Sequence, residues 1–338
     1  MEQTPLLTCR NLHIGYRTRT VQRNLHLDVH PGMLTCMLGP NGAGKSTLLR
    51  TLCGLQPPLS GELMLDGRPV QDIPPAEMAK KMAVVFTGND MADDLTVHDT
   101  VMMGRYPYTD FWGTPKPDDL TIVQKAIQAL NIEGFSKRRM ASLSDGEKQK
   151  VMIAKAIAQE CPIMLLDEPT AFLDLPSRIA SILLLRRLVT EQHKTILLST
   201  HDIDLALQYA DRIWLFSPFR PCADGRPEAM VQSGLLDAFF ATGSIRFNTG
   251  QGCFAAELST APTAFIAPCG ADDRWIRNIL IRNGFRITPN EQEAVFRLHP
   301  SATQHGYDAT FRSETLHFDS TDALSAFMES VRHSSDAS

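Results

Sequence analysis

Residues 39–47 read GPNGAGKST and fit the spacing G-x-x-x-x-G-K-[ST]. No other stretch restricts the fold of this chain as tightly. The motif needs a strand before it and a helix after it, and both are legible. MLTCMLG (33–39) is a continuous apolar run with strand character, and STLLRTLCG (46–54) has helical spacing. Glycines at 39, 42 and 44 let the backbone turn so that successive N–H groups face inward, a cradle for phosphate oxygens. The positive end of the following helix adds to that cradle. Gly39, Pro40, Asn41, Gly42, Ala43, Gly44, Lys45, Ser46 and Thr47 are therefore the expected nucleotide-binding residues. Lys45 is expected to reach the β- and γ-phosphates, and the Ser46 hydroxyl to ligate Mg²⁺.

The same alternation continues downstream. MAVVF (82–86), PIMLLDE (162–168), TILLST (195–200) and RIWLF (212–216) read as strands. GEKQKVMIAKAIAQE (146–160), ILLLRRLVTEQ (182–192) and DIDLALQYA (202–210) read as helices. Strands alternating with helices predict an α/β fold with a mainly parallel sheet. After the Pro-rich SPFRPCADGRP (217–227), the stretch PEAMVQSGLLDAFFA (227–241) reads as one more helix. Beyond about residue 259 the pattern restarts as strand, helix, two strands (near 293–298 and 309–318) and a last helix. That βαββα order predicts a small separate α/β domain over 259–332, after a large domain over 1–258 and before a flexible tail at 333–338. Its segment DDRWIRNILIRNGF (272–285) is amphipathic, with Trp275, Ile276, Ile279 and Leu280 on one face. Asp319 or Ser320 is positioned to cap the last helix.

Composition narrows the function. The net charge of −5 argues against a nucleic-acid partner, which would call for a basic face. No apolar run approaches the ~20 residues that span a bilayer, and the N-terminus lacks the basic-then-apolar start of a signal peptide. The seven cysteines are scattered without a CxxC pair, so reduced thiols are expected and cysteine chemistry is not. The chemistry is carried by acids instead. Asp167 and Glu168 close the apolar strand PIMLLDE, where Asp167 is expected to hold Mg²⁺ and Glu168 to polarise an attacking water.

LSDGEKQK (143–150) lies just upstream of that acidic pair and resembles the LSGGQ signature of ABC ATPases, with Leu143, Ser144, Asp145, Gly146 and Glu147 at its positions. Ser144 and Glu147 also fit a capping box, S-x-x-E, at a helix start. Further motifs of that family follow the expected order. Tyr16, in NLHIGY, matches the aromatic residue that stacks on adenine. TAFLDLPSR (170–178) resembles the D-loop, with Asp174 at its acidic position, and His201, in LLSTHD, matches the switch histidine. The resemblance covers about residues 1–258 and implies a P-loop ATPase with a RecA-like core and a helical subdomain. It further implies ATP and Mg²⁺ as ligands, and a head-to-tail dimer with a second copy of the chain. Lys45, Glu168 and His201 carry the catalysis in that reading, and Ser144–Gly146 act on the ATP of the other copy.

Two positions depart from the family pattern. The glutamine expected after MAVVF is absent, with Thr87 in its place and Asn89 a weaker candidate, and Asp145 stands where the signature usually has glycine. VHDTVMMGRYPYTDFWG (97–113) follows in the region where ABC ATPases receive a membrane permease, and its run GRYPY is similar to importers of ferric siderophores, haem and cobalamin. The resemblance thus implies an importer subunit on the cytoplasmic face of the cell membrane. Its partners would be an integral permease and, indirectly, a substrate-binding protein. The alternatives are an exporter subunit, a soluble ABC ATPase outside transport, and a nucleotide-binding module that no longer hydrolyses. The run 97–113 also leaves open that Tyr106, Tyr108, Phe111 and Trp112 are ordinary core residues.

Overall fold

A computed structural model describes residues 4–17, 19–86, 93–110, 112–248, 252–256, 261–302 and 305–335. The chain divides into two compact units, residues 1–240 with 249–253, and residues 241–248 with 254–338. In the first, chain order runs β1 (Leu7–Tyr16), β2 (Arg19–Val29), β3 (Leu34–Leu38), α1 (Lys45–Leu52), β4 (Ser60–Leu65), β5 (Arg68–Pro69), α2 (Pro75–Lys81) and β6 (Met82–Val85). It continues with α3 (Val97–Met102), α4 (Pro117–Ala129), α5 (Asp145–Ala158), β7 (Ile163–Asp167), α6 (Leu175–Gln192), β8 (Thr195–Ser199), α7 (Ile203–Tyr209), β9 (Arg212–Leu215), β10 (Ala223–Gly225), α8 (Pro227–Gln232) and α9 (Leu235–Phe240).

The central sheet has the order β10-β9-β3-β8-β7-β6, parallel except for the edge strand β10. β3, β7 and β8 are buried at every position, which is why they read as unbroken apolar runs instead of alternating ones. A second, antiparallel sheet of order β2-β1-β4-β5 went unread in the sequence. Its strands alternate buried and exposed positions, and bulges interrupt the register of β1 with β2, which blurs the period of two. α3, α4 and α5 bury Val97, Val101, Val123, Ile127, Val151 and Ile153 against one another as a separate apolar cluster.

Several elements differ from the sequence reading. The single helix expected over 227–241 is broken into α8 and α9, because Gly234 sits at φ +71° between them. α6 starts well before residue 182, where Asp174 accepts the Ser177 N–H at 3.1 Å as an N-cap. Tyr106 and Trp112 are not core residues, with 57% and 84% of their surfaces exposed, and Phe111 lies outside the described residues.

β11 (Ile245–Asn248) pairs with β12 (Cys253–Ala256) in a two-stranded sheet. The second unit continues with β13 (Thr263–Ile266), α10 (Asp273–Arg282), β14 (Arg286–Ile287), β15 (Phe296–Pro300), β16 (Tyr307–Phe311), β17 (Glu314–Phe318) and α11 (Thr321–Ser335). Its sheet has five strands in the order β14-β13-β15-β16-β17. The βαββα reading therefore undercounts, and the stretch 309–318 is two strands instead of one. Arg312 and Ser313 turn the chain at φ 52° and 70° between the paired residues Phe311 and Glu314. Two consecutive positive φ angles normally announce themselves as Asn-Gly, and this sequence carries neither. Ile276, Ile279 and Leu280 are buried with Leu324 and Met328, whereas Trp275 is 58% exposed and leaves the predicted apolar face. Ser320, not Asp319, caps α11 by accepting the Ala323 N–H at 3.2 Å.

Because non-glycine residues pay roughly 1 kcal/mol or more for left-handed backbone, replacing Arg312 and Ser313 together by Asn and Gly is expected to stabilise the second unit by about 0.5–1 kcal/mol. Urea unfolding followed by fluorotryptophan NMR at Trp275 checks it. A Trp275 midpoint that stays put or falls would show that this turn stores no strain.

Candidate nucleotide site

The parallel register sets the site. Asp167 at the end of β7 pairs with Ser199 at the end of β8, and Ser199 lies opposite Met37 near the end of β3. The loops leaving these three strands emerge side by side, at the carboxyl edge where open α/β sheets bind ligands.

The loop after β3 is built around Gly42 (φ +78°) and Gly44 (φ +98°), conformations that L side chains avoid. At Gly44 a Cβ would also meet the Val21 Cγ1 at 2.7 Å. Gly44 caps α1, which begins at Lys45, and leaves the first N–H groups of that helix turned toward the loop. Ser46 is exposed in the first turn, and Thr47 is buried. Lys45 is 5% exposed, and its ammonium donates to the carbonyls of Gly39 (2.7 Å) and Pro40 (3.2 Å). Burial pushes its pKa down, and the nearby carboxylates of Glu168 and Asp167 only partly offset that.

The acids are held by a residue that sequence reasoning missed. The buried Ser199 hydroxyl donates to Asp167 Oδ1 at 2.6 Å and accepts the Glu168 N–H at 2.9 Å. Glu168 itself has φ 47°, a left-handed conformation that a carboxylate residue adopts only when its surroundings enforce it. Its Oε1 lies 2.6 Å from His201 Nε2, so the residue after β7 meets the second residue after β8. Gln22 was missed in the same way. It is buried on β2, and its amide donates to Ala43 O (2.9 Å) and Ser217 O (2.8 Å), clamping the glycine loop from behind. A serine ending a strand and a glutamine within one carry no local signal, since only the fold brings them to the loops.

Other predicted residues lie apart from this cluster or at its rim. Tyr16, 51% exposed at the end of β1, accepts the Thr47 hydroxyl at 3.3 Å. It lines an open cleft of about 740 Å³ with Arg17, Arg50, Leu55 and Phe86. Leu143 belongs to the apolar cluster of α3–α5, and Ser144 caps α5 through the full box: Glu147 N–H to Ser144 Oγ at 3.3 Å, and Ser144 N–H to Glu147 Oε2 at 2.8 Å. The Ser144 N–H bond holds the Glu147 carboxyl below the usual carboxylate range, against a smaller opposing effect of burial. Asp145 is exposed, so a side chain is tolerated there. At Gly146 a Cβ would come within 2.9 Å of the Phe172 carbonyl, so here only glycine fits. Asp174 is exposed and caps α6. Thr87 and Asn89 lie outside the described residues.

Among the described residues no cluster of three His, Cys, Asp or Glu side chains is arranged to hold a metal ion by itself. The oxygen donors available are the Ser46 hydroxyl and the Asp167 carboxylate. That set fits a hard cation arriving with phosphate oxygens, such as Mg²⁺, and does not fit a dedicated transition-metal site.

Residues 22–171 match the ABC transporter family. The ferric enterobactin transport ATP-binding protein FepC of Escherichia coli is 33% identical, over 80% of this chain and 96% of its own length. Among solved structures, a metal-chelate type ABC transporter in an inward-facing conformation aligns with TM-score 0.61 and 30% identity, over 70% of this chain and 89% of that one. A dimeric ATP-binding cassette bound to ADP and Pi aligns with TM-score 0.60 and 26% identity, over 65% of this chain and 98% of that one.

Removing the Ser199 hydroxyl tests whether it orders the acids. Ser199→Ala is expected to cost about 1–3 kcal/mol of stability, because the Glu168 N–H loses its acceptor. Nucleotide turnover should fall by about tenfold or more while nucleotide affinity stays near wild type. Turnover at the wild-type rate in the folded variant would mean that Glu168 is positioned without it.

Proposed function

The chain belongs to the ATP-binding subunits of ABC transporters, and from that premise we propose how its residues hydrolyse ATP and what the hydrolysis drives. It is an importer ATPase subunit, and the observation that carries the mechanism is the meeting of Lys45, Asp167, Glu168 and His201 at the ends of three adjacent parallel strands. Backbone N–H groups of the 39–47 loop and the start of α1 bind the phosphates, and Lys45 shifts its hydrogen bonds from the Gly39 and Pro40 carbonyls to phosphate oxygens. Tyr16 offers its exposed ring to adenine. Ser46 and Asp167 would hold Mg²⁺, which would supply charge neutralisation on the phosphates. Glu168 accepts a hydrogen bond from the attacking water, with its carboxylate oriented by His201 and its backbone by Ser199. His201 and Lys45 then donate to the transferred phosphoryl oxygens, where charge builds in the transition state.

Ser144 and Gly146 sit at the N-terminus of α5, away from the Glu168–His201 pair, and they serve a second copy of the chain. In the closed head-to-tail dimer, they present the start of α5 to the γ-phosphate bound by the other copy. The dimeric cassette aligned above supports that arrangement. The permease docks near residues 97–113, where Tyr106 and Trp112 are exposed large side chains. No helix among the described residues is long and apolar enough to cross a membrane; a peripheral place on the cytoplasmic face belongs to the same importer reading. The cargo is a metal chelate of the siderophore or haem kind, or cobalamin, a reading supported by the ferric enterobactin relative and the GRYPY run.

Two measurements test this. Glu168→Gln is expected to abolish steady ATP turnover, by about 100-fold or more, while ATP still drives dimerisation seen by sedimentation. Persistent turnover would remove Glu168 from the mechanism. Affinity capture of the wild-type chain from solubilised native membranes should recover a polytopic permease. Ribosomes, or no membrane protein at all, would overturn the importer assignment.

A further inference from the structure

Arg105 is a charged residue with only 6% of its surface exposed, and nothing in the hydrolytic site uses it. It lies in a tight 3₁₀ segment, Met103–Tyr108, that follows α3. Its Nε donates to Asp119 Oδ1 at 2.8 Å, on α4. One terminal nitrogen donates both to the Ala158 carbonyl (2.8 Å), the last residue of α5, and to Glu160 Oε2 (2.9 Å). The guanidinium also lies 4.3 Å from the Tyr108 ring centroid. Asp119 uses its other oxygen to accept the Lys116 N–H at 2.8 Å, which ties the start of α4 to the same node. The neighbouring Gly104 brings backbone against backbone, since a Cβ there would stand 2.4 Å from the Lys155 carbonyl. One planar fork thus joins three elements, and a lysine, with a single nitrogen, cannot satisfy these acceptors together.

Stability alone is a poor account of such a node. Burying an ion pair costs roughly what its attraction returns, so apolar residues of similar size would hold the cluster as well. What the fork adds is a fixed geometry between the 3₁₀ segment and α5. The two ends of α5 are then both pinned: the C-terminus by Arg105, and the N-terminus by the Ser144–Glu147 box. The next residue after Arg105 is Tyr106, exposed on the segment that docks the permease in our reading.

We propose that Arg105 is a positioning residue that makes Met103–Tyr108 and α5 move as one body, so that permease contact at Tyr106 displaces Ser144 and Gly146 at the far end of the helix. This rests on the importer reading above. It supplies a mechanical route between permease and nucleotide in a chain whose usual glutamine position is Thr87.

The test uses the full chain and the permease captured with it, reconstituted in nanodiscs, with Arg105→Lys and the uncharged pair Arg105→Gln with Asp119→Asn. Both variants are expected to keep permease capture, the KM for ATP and the basal turnover of the isolated subunit. Permease-stimulated turnover should fall by at least about fivefold. Full stimulation in a variant that melts with the wild type overturns the proposal. A measurement free of variants is hydrogen exchange of the wild type. On permease binding, the amides of Met103–Tyr108 and of the first turn of α5 should change protection together, and a change confined to the first segment overturns it. A wild-type chain that captures no permease, or is not stimulated by it, refutes the importer reading and this proposal with it.

Discussion

The pairing of β7 with β8, which sets Asp167 beside Ser199, is the constraint on which the rest of the site depends. A strand's side chains alternate, so a slip of one residue would turn Asp167 to the other face and carry Glu168 out of reach of His201. The Ser199 hydroxyl locks that register with two hydrogen bonds, one to each acidic residue. β3 is pinned on the other side of β8, and with it the glycine loop. The catalytic geometry therefore belongs to the sheet, and the loops inherit it.

That arrangement explains why buried polar residues gather where they do. Gln22 holds the glycine loop, Ser199 holds the acids and Arg105 holds the base of the signature helix. Each joins segments far apart in sequence, and each would be costly if left unpaired. Lys45 shows the opposite balance. Burial depresses the pKa of its ammonium, and the carboxylates of Glu168 and Asp167 only partly compensate. Lys45 is tolerated at a cost to folding at the phosphate site proposed above, whereas Gln22, Ser199 and Arg105 are held by hydrogen bonds and position other segments.

Legibility in the sequence follows the same division. The glycine loop, the acidic pair, the capping box at Ser144 and His201 are local patterns, each readable from a few consecutive residues. Ser199 and Gln22 were invisible because their partners are 32 and 195 positions away in the chain. The antiparallel sheet was missed where bulges break its period, and the β16–β17 hairpin because Arg312 and Ser313 turn without Asn or Gly. Trp275 was misplaced because helical spacing marks an apolar stripe without fixing how wide the buried part is. Boundaries of the central strands came through well, since fully buried strands leave no polar residue to confuse the pattern.

The departures from the family pattern acquire a physical meaning in this light. At Asp145 the side chain reaches solvent, so the usual glycine is not required by packing. At Gly146 it is required, because the start of α5 rests against the Phe172 carbonyl, just ahead of Asp174. The start of α5 and the segment leading to Asp174 are thus packed closely within one chain. An acidic residue at 145 adds negative charge beside the helix N-terminus, which favours the helix through its dipole while opposing an incoming phosphate. In the head-to-tail dimer proposed above, the N–H groups of Gly146 and its neighbours would have to outweigh that repulsion.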